Sequence, residues 1–235
     1  MHSLPFAALV AGLALATSPA SAALSTAVTA IDANGYGQNT NVNYVDGFRF
    51  RPNEDLYVQE LGFFDANGNG LLRSYKVGIV APDSTILGSV IVPAGTTARL
   101  DGPFDPTAPL LNSGFRYEPL AEQLHLVAGN TYALVALITR TTTDEIVYSP
   151  AISYNPAITV SGTGLGGFMD CRLAATGTGC STTAPQISDL RYPTQYASSA
   201  RFLNFTFTTT PVPLPAAAWL MLPAVAALGW TRRRA

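Results

Sequence analysis

The sequence predicts an all-β protein built around an antiparallel, jelly-roll-like β-sandwich, and three observations lead to it. Apolar residues recur with period two, the spacing at which strand side chains alternate between faces. Gly, Pro, Asn, Ser and Thr break these runs about every eight to twelve positions, the rhythm of sandwiches and barrels. No amphipathic helix of useful length interrupts the pattern between residues 23 and 207.

The elements follow in order. Tyr44, Phe48 and Phe50 fall on one face of a first strand. Asp65-Ala66-Asn67-Gly68-Asn69-Gly70 reads as a turn, because Asn-Gly between two β-patterned runs is a strong hairpin signal. Beyond it, Tyr75, Val77 and Ile79 share a face opposite Ser74, Lys76 and Gly78. Phe115 and Tyr117 alternate with Arg116 and Glu118, which puts the two charges on a wet face. Leu124 and Leu126 alternate with Gln123 and His125, and Ala128-Gly129-Asn130 turns the chain into Thr131–Ile138. That segment, TYALVALI, is apolar on both faces and is expected in the middle of a sheet. Leu203, Phe205 and Phe207, alternating with Asn204, Thr206 and Thr208, form a closing strand.

Charged residues make up only 12% of the 235 residues, and lysine occurs once, at Lys76. The formal charge is -2; leaving out Arg232, Arg233 and Arg234 lowers the basic count from 13 to 10 against 15 acids, so the rest of the chain stands near -5. Such a balance argues against nucleic acid as a partner. Residues 23–207 suffice for one domain with a sizeable core.

Four groups of residues were weighed for chemistry. Asp65, Asn67 and Asn69 place oxygens at alternate positions with Gly70 sixth, the opening of a calcium loop, but the twelfth position is Lys76 where such a loop needs glutamate. A plain turn and bound Ca²⁺ are the competing readings, and no other cofactor is expected. Cys171 and Cys180, close together in a Gly/Thr-rich segment, have no zinc-ligand spacing; they pair as a disulfide in an oxidising compartment or stay as free thiols in a loop. Gly162–Gly167 lacks the lysine of a phosphate loop. His125 is the single histidine after residue 22, predicted on a solvent face, and no G-x-S-x-G elbow occurs, so the domain is expected to be non-catalytic. A carboxylate glycosidase would draw on Asp144 with Glu145 or Glu118 with Glu122, whose spatial separation sequence does not give. A carbohydrate-binding module would stack sugars on Tyr57, Tyr148, Tyr154, Tyr192 or Tyr196.

The ends carry addresses. Residues 4–16 form an apolar run of signal-peptide length, and Ala20-Ser21-Ala22 supplies the small-x-small pattern before a cut between Ala22 and Ala23. At the other end a linker over 208–215 leads into Val212-Pro213-Leu214-Pro215-Ala216, then an apolar stretch to Trp230, then Arg232-Arg233-Arg234. About sixteen apolar residues in a helix rise ~24 Å, short of an average ~30 Å hydrocarbon core but tolerable with snorkelling arginines. Residues 216–235 are therefore expected as a transmembrane helix whose arginines stay cytoplasmic, leaving the domain outside.

The order VPLPA, apolar stretch, RRR resembles the VPLPA-CTERM variety of PEP-CTERM sorting signals on exported proteins of Gram-negative bacteria. The resemblance covers about the last 24 residues. It implies processing near the proline motif by an exosortase-type membrane enzyme, and a setting rich in exopolysaccharide. Between Val45 and Ile138, the succession FRF, LGFFDANGNGLLRSYKVGIV, GSVIVPAG, FRYEPL and LVAGNTYALVAL is similar to a β-sandwich domain of unknown function in PEP-CTERM-type exported proteins. That similarity implies a fold and an extracytoplasmic habitat, and no activity. Residues 139–200 fit it less well and read as insertions or long surface connections.

Overall fold

A computed structural model describes residues 23–32, 36–37, 44–66, 68–101, 113–138, 144, 146–147, 151–160, 166–167, 169–170, 186–193, 196–197 and 203–212. Ala20, Ala22, Asn67, Cys171, Cys180, Pro213–Ala216 and Arg232–Arg234 lie outside them, so the leader, the disulfide, the sorting motif and the apolar tail have no structural account here. Among the described residues no helix is long and apolar enough to cross a membrane. Ala23–Pro211 form one compact unit.

The described chain is all-β, with one short 3₁₀ turn, η1 (Ile187–Asp189). Its strands are β1 (Ser25–Thr26), β2 (Val28–Asp32), β3 (Tyr36–Gly37), β4 (Tyr44–Pro52), β5 (Leu56–Asp65), β6 (Tyr75–Val80), β7 (Ile86–Val92), β8 (Arg99–Asp101) and β9 (Gly114–Leu126). They continue as β10 (Tyr132–Ile138), β11 (Ile146–Val147), β12 (Ala151–Tyr154), β13 (Ile158–Val160), β14 (Gly166–Gly167), β15 (Met169–Asp170), β16 (Tyr196–Ala197) and β17 (Leu203–Thr208). One sheet runs β1-β17-β5-β9-β8 and the other β13-β4-β10-β6-β7, with β15 also on β4; every pairing is antiparallel. Three two-stranded pieces, β3 with β11, β2 with β12 and β14 with β16, complete the described residues.

The sheets face each other across one aromatic core. Phe205 of the first sheet packs on Phe50 of the second at 5.0 Å between ring centroids, and Phe63 stacks on Tyr75 at 3.6 Å. The inward parity of β5 changes along its length. Leu56 and Val58 face the core, the register shift between Val58 and Glu60 inserts Gln59, and Leu61 and Phe63 then take the inner face.

The β10 segment is a central strand between β4 and β6, as its two apolar faces predict. Leu134 and Ala136 enter the inter-sheet core, whereas Ala133, Val135 and Leu137 join a second cluster with Val45, Val80 and Leu190. Residues 186–193 cover that outer cluster: the Arg49 guanidinium lies 4.8 Å over Tyr192 and its Nε donates to the Pro193 carbonyl at 2.9 Å. Gly78 leaves room for them, since a Cβ there would come within 2.7 Å of Leu190 Cδ1.

Two expectations are corrected. The Asp65–Gly70 turn does not join a hairpin; β5 lies in the first sheet and β6 in the second, so the loop carries the chain across the sandwich. Gly68 and Gly70 take φ of 65° and 105° there, and Leu71 forms a bridge with Gly95. The turn chemistry was read rightly, but pairing is decided by the apolar face of Tyr75, Val77 and Ile79, which must meet Phe63 from the opposite sheet. Secondly, Arg116 is not on a wet face. It stands opposite Phe63 in the β5–β9 register and is buried, while Phe115 and Tyr117 take the other face, also buried.

Candidate functional site

The densest group of titratable side chains lies where β5, β6 and β9 meet. Asp65, the last residue of β5, and Arg116 of β9 are both buried, and Arg116 Nε donates to Asp65 Oδ2 at 2.7 Å. The same oxygen accepts the Gly70 N–H at 2.9 Å, which closes the loop onto the strand that precedes it. The other guanidinium nitrogens donate to backbone carbonyls: Nη1 to Thr96 and Ala98, Nη2 to Gly68. Arg116 therefore fastens two loops to the sheet, a use suited to its fixed planar fork of donors.

Tyr75 and Asp144 form the neighbouring group. The Tyr75 hydroxyl donates to Asp144 Oδ2 at 2.7 Å and accepts the Asp144 N–H at 3.1 Å, while the Leu72 N–H donates to Asp144 Oδ1 at 2.8 Å. Burial pushes the Tyr75 hydroxyl far above the usual phenol range, with the Asp144 charge adding to the shift. Burial also raises the Asp144 carboxyl, opposed by the bonds from Leu72 and Tyr75 and reinforced by the nearby charge of Asp65. These groups are engaged with one another and with backbone, an arrangement that holds loops in place.

A third buried acid, Asp46, stands in β4 opposite Ala136, which belongs to the inter-sheet core. Burial raises its carboxyl well above the ordinary range, and the adjacent Gly47 N–H, at 2.7 Å from Oδ1, opposes the rise.

On the opposite edge of β9, His125 is exposed as the alternation predicts. Its ring stacks on Tyr57 at 4.7 Å, and Nε2 lies 3.1 Å from Asp55 Oδ2. Asp55 Oδ1 accepts the Ala128 N–H, and that bond, followed by the His125 contact, holds the Asp55 carboxyl below its usual range. This trio latches the Val127–Asn130 turn to the β4–β5 connection.

The residues singled out for chemistry are not brought together. Asp65 faces Arg116, Asn69 is exposed in the loop beyond it, and Asn67 lies outside the described residues. Among the described residues no group of three or more His, Cys, Asp or Glu side chains could hold a metal ion. Glu118 is half-buried and Glu122 exposed on β9, and Glu145 lies outside the described residues. Of the tyrosines considered for sugar stacking, Tyr57 packs on His125, Tyr154 on Phe48 at 5.7 Å, and Tyr192 under Arg49; Tyr148 and the Tyr196 side chain lie outside the description. Arg116 and Asp46 were not singled out from sequence. The signal available for Arg116 was its place between two aromatics in FRYEPL, which shows alternation without showing which face is inside.

No protein-family model matches the chain, and no curated protein matches it. Among solved structures, a mutant VP2 protein of infectious bursal disease virus, in derived T=1 particles, aligns with 89% of this chain and 41% of its own at 13% identity and a TM-score of 0.24. A second structure of T=1 particles derived from infectious bursal virus aligns with 95% of this chain and 51% of its own at 12% identity and a TM-score of 0.22. The chain thus spans about half or less of the length of either.

Proposed function

We propose that this is an exported, membrane-sorted protein of the cell envelope or extracellular matrix, whose jelly-roll-like β-sandwich has a structural or adhesive and non-catalytic role. The observation that carries the reading is the order of the tail: Val212–Ala216 as VPLPA, an apolar stretch, and then Arg232–Arg234. With the leader ending at Ala22, this order implies export, an exosortase-type partner and contact with exopolysaccharide. The antiparallel sandwich fits a displayed domain, and the use of Asp65, Arg116, Tyr75 and Asp144 to fasten loops supports a structural role over chemistry. Sorting is tested by expressing the parent and a deletion of residues 212–235 in a host with the matching enzyme, then fractionating cells and following mass. The parent should reach the inner membrane and later lose its arginine tail, and the deletion should be soluble from the start. A membrane-bound deletion, or a soluble parent with its arginines intact, would remove the sorting reading.

A further inference from the structure

We propose that β7 is a self-pairing edge, joining antiparallel to β7 of a second copy of this chain. Among the described residues β7 has a hydrogen-bonded neighbour, β6, on one side only, and it is seven residues long. Its sequence, ILGSVIV, contains no charge and no proline, and Leu87 and Ile91 are 36% and 49% exposed. Long neutral edges of this kind present unpaired backbone donors and acceptors to any strand that approaches.

The other sheet edges are blunted. β1 has two residues, β13 has three, and β8 has three with exposed Arg99 and half-buried Asp101 among them. At β7 these protections are missing except at one end, where the register slips at Leu87 between Ile86 and Gly88. Gly88–Val92 keep regular register with β6 and are the segment free to extend the sheet.

The occupant follows from the strand itself. A neutral edge meeting a copy of itself brings no like charges together, and two identical antiparallel edges are related by a two-fold axis that consumes both and leaves neither for a third chain. Pro82 and Pro93, which cannot donate to a ladder, bracket the strand and confine pairing to the interval between them. The pairing is independent of tail sorting, so either reading can fail alone.

The test uses the full chain in detergent micelles, at dilute and concentrated protein, with light scattering for mass and amide hydrogen exchange for location. Concentration should double the protein mass per particle and slow exchange within residues 86–92 roughly tenfold or more. Ile91→Lys, on an exposed side chain, should keep the parent's circular dichroism and remain monomeric at the higher concentration. Exchange in residues 86–92 that does not depend on concentration would overturn the proposal, whether the protein stays monomeric or dimerises through its tail. A dimer of Ile91→Lys as tight as the parent's would overturn it equally.

Discussion

Arg116 Nε and Asp65 Oδ2 stand 2.7 Å apart in the buried end of the sandwich, and around them the guanidinium gathers three backbone carbonyls. Removing one partner leaves a desolvated charge without its counterpart, so Arg116→Met alone should cost about 3–5 kcal/mol in denaturant unfolding. The double variant Asp65→Asn, Arg116→Met should recover a large part of that loss, because neither charge then remains. If the two single losses simply added, the pair would not be coupled and the contact would be incidental.

The same contact predicts indifference to calcium. Asp65 Oδ2 already accepts from Arg116 and Gly70, and a divalent ion entering there would have to displace a guanidinium held by several bonds. The parent's melting temperature should therefore be equal in millimolar Ca²⁺ and in chelator, since a ligand stabilises only by binding the folded state preferentially. A fall in melting temperature on chelation would assign the loop to the metal.

Much of the sandwich was legible because one apolar face implies one core. Tyr75, Val77 and Ile79 announce their shared face, and Ala133–Leu137, apolar on both sides, announces a strand covered twice. Arg116 was misplaced for a related reason: where both faces of a strand are buried, alternation no longer tells inside from outside, and only the contact with Asp65, 51 residues away, decides it. The Asp65–Gly70 turn was visible as a turn, yet the sheet joined by β6 depends on Phe63 meeting Tyr75, which no local signal encodes. Asp144 likewise finds Leu72 and Tyr75 some seventy residues earlier, where spacing carries no information.

Asp46 and Asp144 predict how stability varies with pH. Burial raises both carboxyls, so the folded protein holds protons that the unfolded chain has released. Stability from these groups is thus fully present below the ordinary carboxylate pKa of roughly 4, and is lost as pH rises through the raised values. Asp55 and Asp83 shift downward, held by the Ala128 and Thr85 N–H groups, and act in the opposite sense as pH falls, but both are exposed and screened. Asp46→Asn should therefore flatten the decline and gain on the order of 1–3 kcal/mol over the parent at mildly alkaline pH. Urea unfolding across pH checks it; a variant with the parent's slope would acquit Asp46.

Asn204 ties the start of the domain to its last strand, and its loss should be felt as lost backbone pairing. The side chain is fully buried on β17; Oδ1 accepts the N–H of Val28 at 2.8 Å and of Phe205 at 2.9 Å, while Nδ2 donates to the Val28 carbonyl at 3.0 Å. Val28 lies where the chain passes from β1, paired with β17, to β2, paired with β12, so the amide supplies bonds that the ladder interrupts there. Asn204→Ala leaves the Val28 donor and acceptor unpaired in a dry environment and should cost about 2–4 kcal/mol. Asn204→Asp keeps the acceptors but loses the donor and buries a charge, so it should be worse at neutral pH and improve in acid, where the carboxyl is neutral. Native-state hydrogen exchange distinguishes this from general weakening: amides of Val28–Asp32 should exchange faster in Asn204→Ala while those of Tyr132–Ile138 keep their rank among the slowest. Equal acceleration in both segments would mean that Asn204 supports the sandwich as a whole and not the docking of its first strands.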